Sequence, residues 1–265
     1  MTDRSAPRLY PCYLLQDNKI PSVVWFEDAL GHHGVSTVVF NLYLLVDDIE
    51  AAAQVLVRDG WSIVAFDSSQ FDIGFSAKAH RRLLPPQTLN ENDPTKASTH
   101  FTGPPPPPAP PTNRPASATT TILLPAEEWN YKLPPSTDVV TSYYPPLPDL
   151  LDALIDSFLD CTPGMLFAHL ACQVGYLYQY VSALKSPSFS DQLKYDHRQF
   201  HLDSLSGMST GTVPFAKHQR AIREALREGN YTLQTCSASR DNTYLFNQAE
   251  QKRLHTAMRQ RDFSS

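Results

Sequence analysis

Hydrophobic and polar positions follow two rhythms along this chain, one in each half. In the first half, short β-branched and aromatic runs alternate with amphipathic stretches. Ser22-Val-Val-Trp-Phe26 predicts a buried strand, and Glu27 to His33 a short helix closing at Gly34. Thr37-Val-Val-Phe-Asn-Leu-Tyr-Leu-Leu-Val46 is the longest strand-like run in the chain. Asp47 or Asp48 then stands where an N-cap belongs, ahead of a helix whose Ile49, Ala53, Leu56 and Val57 share one face. Gly60 ends that helix, as a residue tolerant of the left-handed conformation should. Trp61-Ser-Ile-Val-Ala-Phe66 and Thr119-Thr-Thr-Ile-Leu-Leu124 predict two more strands, giving β-α-β-α-β, an interruption, then β.

The second half has helical periodicity. Leu147, Leu150, Leu151, Leu154, Ile155, Phe158 and Leu159 fall on one helix face, and Pro163-Gly164 breaks the run. Leu166, Phe167, Leu170, Ala171, Val174, Leu177, Tyr178 and Val181 mark a second helix. A third is expected from about Phe189 to Ser206, a fourth from about Pro214 to Gly229, and a fifth from roughly Tyr244 to Arg259.

Proline separates the two halves. Of the 23 prolines, 17 lie between Pro85 and Pro148, and Gly103 to Pro111 reads GPPPPPAPP. Such a run lacks backbone donors and fixes φ, so it favours solvated polyproline II over helix or central strand. The expected organisation is an αβ module over 1–84, a disordered proline-rich insertion over 85–118, a return strand and connector over 119–145, and a helical bundle over 146–265. PxxP spacing within the insertion makes an SH3- or WW-type partner one reading of it, and a plain spacer the other.

Composition narrows the classes. Over 265 residues, 42% hydrophobic and 18% charged residues are too apolar for a wholly disordered chain. A formal net charge of -5 argues against broad nucleic-acid binding, which needs a basic surface. Cys12, Cys161, Cys172 and Cys236 show no CxxC spacing, so neither a zinc ribbon nor a disulfide scaffold is indicated. The first residues carry no signal-peptide core, and no run reaches the roughly 18 apolar residues of a membrane span. An intracellular, cytoplasmic protein with no membrane and no nucleic-acid partner is expected.

Candidate chemistry is sparse. GxGxxG, GxxxxGK[ST] and GxSxG are all missing from the sequence. Ser206 to Val213 is polar enough to bring amides near an anion, but a connecting turn is the simpler reading. His80-Arg81-Arg82 reads as a solvated cluster at the edge of the insertion. The densest polar stretch is Gln192 to Asp203, where His197 and His201 are four apart and would face one point on a helix. Arg198 stands where HExxH would need Glu, which disfavours a metal. An interdomain polar network is favoured, then a ligand pocket. Glu27-Asp28 and Asp47-Asp48 are paired carboxylates at helix starts, where capping is the favoured duty over acid–base work.

Residues 20–61 also resemble the minimal nucleotidyltransferase fold. Ile20-Pro-Ser-Val-Val-Trp-Phe-Glu-Asp-Ala-Leu30 stands where the first strand and its glycine-containing helix start would be. Phe40-Asn-Leu-Tyr-Leu-Leu-Val-Asp-Asp48 stands where the D-x-D strand would be, and Ile49 to Trp61 is similar to the helix that follows. The whole chain is similar to a set of uncharacterised fungal proteins with an αβ start, a proline-rich middle and a helical end. The resemblance implies an α+β fold: a small nucleotidyltransferase-like mixed sheet with helices, then a C-terminal helical bundle. It also implies a degenerate site. The D-x-D aspartates fall on Asn41 and Tyr43, the glycines near Phe26 and Glu27, and the later strand has no carboxylate. No cofactor and no metal are expected.

Three functions follow as expectations. The first is a pseudoenzyme that binds a small molecule or protein partner in a cleft between module and bundle, with Glu27, Asp28, Asn41 and Tyr43 on one wall and His197, Arg198 and His201 on the other. The second is an enzyme of another chemistry with His197 or His201 as general base. The third is a platform that recruits a partner through the proline-rich segment.

Overall fold

The computed structural model describes residues 7–64, 78–86, 119–134, 142–208 and 211–238. The elements in chain order are α1 (Tyr10–Asp17), β1 (Ser22–Trp25), α2 (Glu27–His32), β2 (Leu42–Val46), α3 (Ile49–Arg58), β3 (Ser62–Val64), β4 (Arg81–Leu84), β5 (Thr121–Pro125), α4 (Leu147–Asp160), α5 (Met165–Tyr180), α6 (Arg198–Leu205) and α7 (Thr212–Arg227). The fold is mixed α/β, with a five-stranded sheet ordered β1-β2-β5-β4-β3. Only the β2–β5 pair is parallel; β1–β2, β4–β5 and β3–β4 are antiparallel.

Strand alternation sends side chains to opposite faces, and both faces are covered. Val24, Leu42, Leu44, Val46, Leu83 and Leu123 pack with Cys12, Leu15, Ala52, Ala53 and Leu56 of α1 and α3. Val23, Trp25, Tyr43, Leu45, Ile122 and Leu124 pack on the other side with α2, Trp129 and the apolar faces of α4 and α5. β2 is therefore buried along its whole length, which accounts for its unbroken apolar run. The C-terminal helices share this second core with the sheet. No helix among the described residues is long and apolar enough to cross a membrane.

Several elements depart from the sequence-based expectation. The predicted strand from Thr37 begins only at Leu42, and Val38 and Phe40 are 67% and 76% exposed. The reason is partnership: β1 ends at Trp25 opposite Tyr43, and β5 begins at Thr121 opposite Leu42, so earlier residues have no ladder to join. His80-Arg81-Arg82 stands at the edge of the insertion and is partly exposed, but it leads into a strand. Arg81 and Arg82 belong to β4, paired with Leu123 and Ile122, and Arg81 ion-pairs Glu50. Helix α1 has no counterpart in the expectation. The third strand covers Ser62–Val64, and residues 65 and 66 lie outside the described residues.

The expected helix from Phe189 to Ser206 is two single 3-10 turns, Ser190–Gln192 and Tyr195–His197, followed by α6. Its continuity fails at Lys194, whose backbone N–H donates to the Asp152 carboxylate at 3.1 Å. Leu193 and Lys194 there take extended ψ values of 157° and 141°. Helices α4, α5 and α7 stand close to where periodicity predicts them, and Gly229 follows α7 at φ 74°. The predicted helix from Tyr244 to Arg259 and insertion residues 87–118 lie outside the described residues.

Candidate functional site

The polar chemistry collects in two places, both built on helices that flank the sheet. The first begins at Phe26, the single residue between β1 and α2. Its φ of 53° and ψ of -129° form a sharp turn that a residue with a Cβ adopts at a cost of about 1–3 kcal/mol. Packing holds it there. The ring meets Tyr43, Trp129 and His169 edge-on, with centroids 5.3, 5.1 and 5.1 Å away.

That turn aims Glu27 and Asp28 in different directions. Neither caps α2 through its side chain, contrary to the sequence-based assignment; Asp48 does cap α3, accepting from Glu50 N and Ala51 N. Asp28 takes a two-pronged guanidinium contact from Arg8, Nε to Oδ1 at 2.6 Å and Nη2 to Oδ2 at 2.7 Å. The same guanidinium donates to the carbonyl of Asn41 at 3.0 Å and to Thr119 Oγ1 at 3.0 Å, tying four segments together.

Glu27 points to α5. Gln173 Nε2 donates to Glu27 Oε1 at 2.9 Å and lies 3.3 Å from His169 Nε2, one turn away on the same helix face. The His169 ring is 3.7 Å from Glu27 Oε1, but burial lowers its pKa to about 4, so it is neutral near pH 7. Burial raises the Glu27 carboxyl above its usual range, opposed by hydrogen bonds from its own backbone and from Gln173. Gln173 is 3% exposed, and its Oε1 has no hydrogen-bond partner among the described residues. On β2, Asn41 Nδ2 donates to the Tyr43 hydroxyl at 3.5 Å, and burial raises that hydroxyl's pKa. Glu27, Asp28, Asn41 and Tyr43 thus do gather at one end of the sheet.

The second group is elsewhere. His197 has no exposed surface and lies between two α4 carboxylates, Nδ1 2.6 Å from Asp152 and Nε2 2.9 Å from Asp156. With an acceptor on each nitrogen the ring carries both protons. Desolvation alone would lower its pKa, but the two carboxylates outweigh it and the net direction is up. Lys194 and Arg223 also reach Asp156, at 2.9 and 3.0 Å. His201, 1% exposed, contacts the Tyr178 hydroxyl at 3.1 Å and is held below its usual pKa by burial. Arg198 is partly exposed and fastens the preceding turns by donating to Asp191 and Leu193.

His197 and His201 therefore do not converge on one point, because each ring is spent on its own partner. Nor do they line a wall opposite Glu27. His201 meets α5 at Tyr178, five residues from Gln173 and so about 140° round the helix. His197 faces α4 instead. A polar network does occupy this stretch, but it lies within the C-terminal helices, between α4, α7 and the turns before α6, and not between the αβ module and the bundle as expected.

Sequence reasoning missed Arg8, His169, Gln173, and the α4 row Asp152, Asp156 and Asp160. The row had a signal, acidic residues at i, i+4 and i+8 inside an amphipathic helix. Also missed was a buried knot around Asp203, which accepts from Gln199, Gln219 and the backbone and hydroxyl of Ser237. His218 Nε2 is 2.6 Å from the same hydroxyl. Aspartate here holds the serine proton and not the histidine, so the knot fastens residues 231–238 and does not activate a nucleophile. No group of three or more His, Cys, Asp or Glu among the described residues is placed to hold a metal ion. Comparison with protein-family models, curated protein sequences and solved structures returns no match to the chain.

Proposed function

We propose that the chain is a catalytically degenerate nucleotidyltransferase-like protein, with a C-terminal helical bundle, that binds a small molecule where α2 meets α5. The observation that carries the binding reading is Gln173: a side chain almost wholly buried, anchored through its NH2 on Glu27, with its oxygen unpartnered among the described residues. A buried acceptor in that state favours a ligand that completes it.

The degenerate character is supported by what occupies the D-x-D end of the sheet. Tyr43 pairs across the parallel ladder with Ile122, so the positions suited to three metal-binding carboxylates present an amide (Asn41), a phenol and an alkyl chain. Phe26 fills the turn where glycines would admit a triphosphate. The general-base reading loses support, since His197 and His201 are buried and paired.

Thermal-shift screening tests the proposal with the four nucleoside triphosphates, each with and without Mg²⁺ or Mn²⁺, beside a panel of metabolites. A ligand at about 100 times its dissociation constant adds roughly 2.7 kcal/mol. Stabilisation by a metabolite, lost in Glu27→Gln, is expected; metal-dependent stabilisation by a nucleotide would overturn the degenerate assignment.

One observation favours the platform reading as a second function. β4 and β5 are antiparallel neighbours with Leu83 opposite Thr121, so the chain leaves and re-enters the sheet at adjacent strand ends. In sequence, the proline-rich segment therefore joins two neighbouring strands of the sheet. Deleting residues 101–116 is expected to abolish capture of an SH3 or WW domain while the thermal transition is preserved.

A further inference from the structure

We infer that the α2–α5 junction takes an organic cation with N–H donors, a primary ammonium or a guanidinium, held between the Glu27 carboxylate and the Gln173 side-chain oxygen. This rests on the binding reading above and names its ligand class. Both groups are acceptors, and both are incompletely served by the protein. Gln173 spends its NH2 on Glu27 at 2.9 Å and next to His169 at 3.3 Å, which leaves Oε1. Exchanging the amide's oxygen and nitrogen would set oxygen against the Glu27 Oε1 acceptor at 2.9 Å, so that contact fixes which end is free.

Glu27 in turn has no lysine or arginine within ion-pair distance among the described residues, although Arg8 acts on it from further off. Arg8, the nearby guanidinium, has its Nε and one terminal nitrogen committed to Asp28. His169 is near enough, but its imidazole is neutral because burial lowers its pKa to about 4. A carboxylate in a low-dielectric surrounding with no cation of its own favours one from outside. The cluster is not sealed, since the Glu27 and His169 side chains keep 17% and 15% of their surface. Phosphate and carboxylate ligands are disfavoured, because the groups that would meet them are acceptors.

The cation can arrive as a free amine or as a lysine or arginine side chain of a partner, and the same chemistry recognises both. The full chain, ¹⁵N-labelled, is titrated with agmatine, butylammonium, pentanamide, butyrate and a capped Gly-Arg-Gly peptide. The Gln173 side-chain NH2 resonance and the thermal transition are the readouts. Agmatine or butylammonium is expected to shift that resonance saturably, with at least a tenfold loss of affinity in both Glu27→Gln and Gln173→Met. Tighter binding of the peptide than of agmatine assigns the cation to a partner's side chain; the reverse order assigns it to a free amine. If agmatine, butylammonium and the peptide all leave the Gln173 resonance in place, or bind Glu27→Gln as well as wild type, the inference is wrong. Pentanamide or butyrate binding that depends on Glu27 would overturn the cation class alone, and absence of binding by every probe would also remove the binding reading. Glu27→Gln is nearly isosteric, and a cooperative thermal transition confirms that each variant is folded.

Discussion

Replacing His197 with glutamine tests the charge arrangement beneath the helical half. The wild-type ring donates to Asp152 and Asp156 at 2.6 and 2.9 Å with no exposed surface, so it acts as a buried cation between two carboxylates. Glutamine retains some hydrogen bonding but no charge. Removing one partner of a buried ion pair costs about 3–5 kcal/mol. The lower end applies here, because Lys194 and Arg223 still reach Asp156 and the Lys194 N–H still reaches Asp152. With a urea m-value of about 3 kcal/mol/M, a loss of about 3 kcal/mol moves the unfolding midpoint by about 1 M.

The pH dependence gives a second readout. A histidine whose folded pKa lies above its unfolded value of 6.5 contributes fully below 6.5, and the contribution disappears as pH rises through the folded pKa. Asp156 works oppositely: its carboxyl is held well below 3.8, despite desolvation, by His197 and Lys194, so its contribution is present above 3.8 and lost toward acid. Wild-type stability from this network should therefore peak between about pH 4 and 6.5. His197→Gln should lose the decline above 6.5. Urea titrations of both proteins from pH 4 to 9 measure this. An unchanged midpoint at pH 6, together with an unchanged slope between pH 7 and 9, would refute the buried imidazolium.

Three other outcomes are expected. Asp48→Ala removes the acceptor for two backbone N–H groups at the start of α3 and should cost about 1 kcal/mol in urea unfolding. Phe26→Gly relieves a positive φ but deletes a ring with 1% exposure, so calorimetry should show a net loss of about 2–4 kcal/mol; a gain would mean that the ring does not hold the turn. Arg8→Met strands the buried Asp28 carboxylate and should cost about 2 kcal/mol, discounted because Arg8 is 25% exposed, and a double variant with Asp28→Leu should recover much of it in a double-mutant cycle.

Local pattern alone determined a large share of this architecture. Periodicity located α3, α4, α5 and α7, because an amphipathic helix must bury one stripe wherever it packs. The apolar run ending at Val46 located a strand, and Asp48 was legible as a cap because that bond closes within three residues. That Asn41 and Tyr43 carry no carboxylate was visible without coordinates, since a charge either stands at a position or does not.

Tertiary structure decided everything that depends on a partner distant in sequence. Whether Thr37 to Phe40 joins the sheet depends on where β1 and β5 end. Whether residues 189–197 stay helical depends on a carboxylate from α4 taking the Lys194 N–H. His197 and His201 shared a spacing, yet their roles were set by Asp152 and Asp156 on one helix and Tyr178 on another. The α2–α5 junction joins Glu27 to a glutamine 146 positions later, and no local signal marks that glutamine as polar chemistry inside an apolar helix packed on the sheet. Periodicity reports which face of an element turns inward; only the folded chain determines what that face meets.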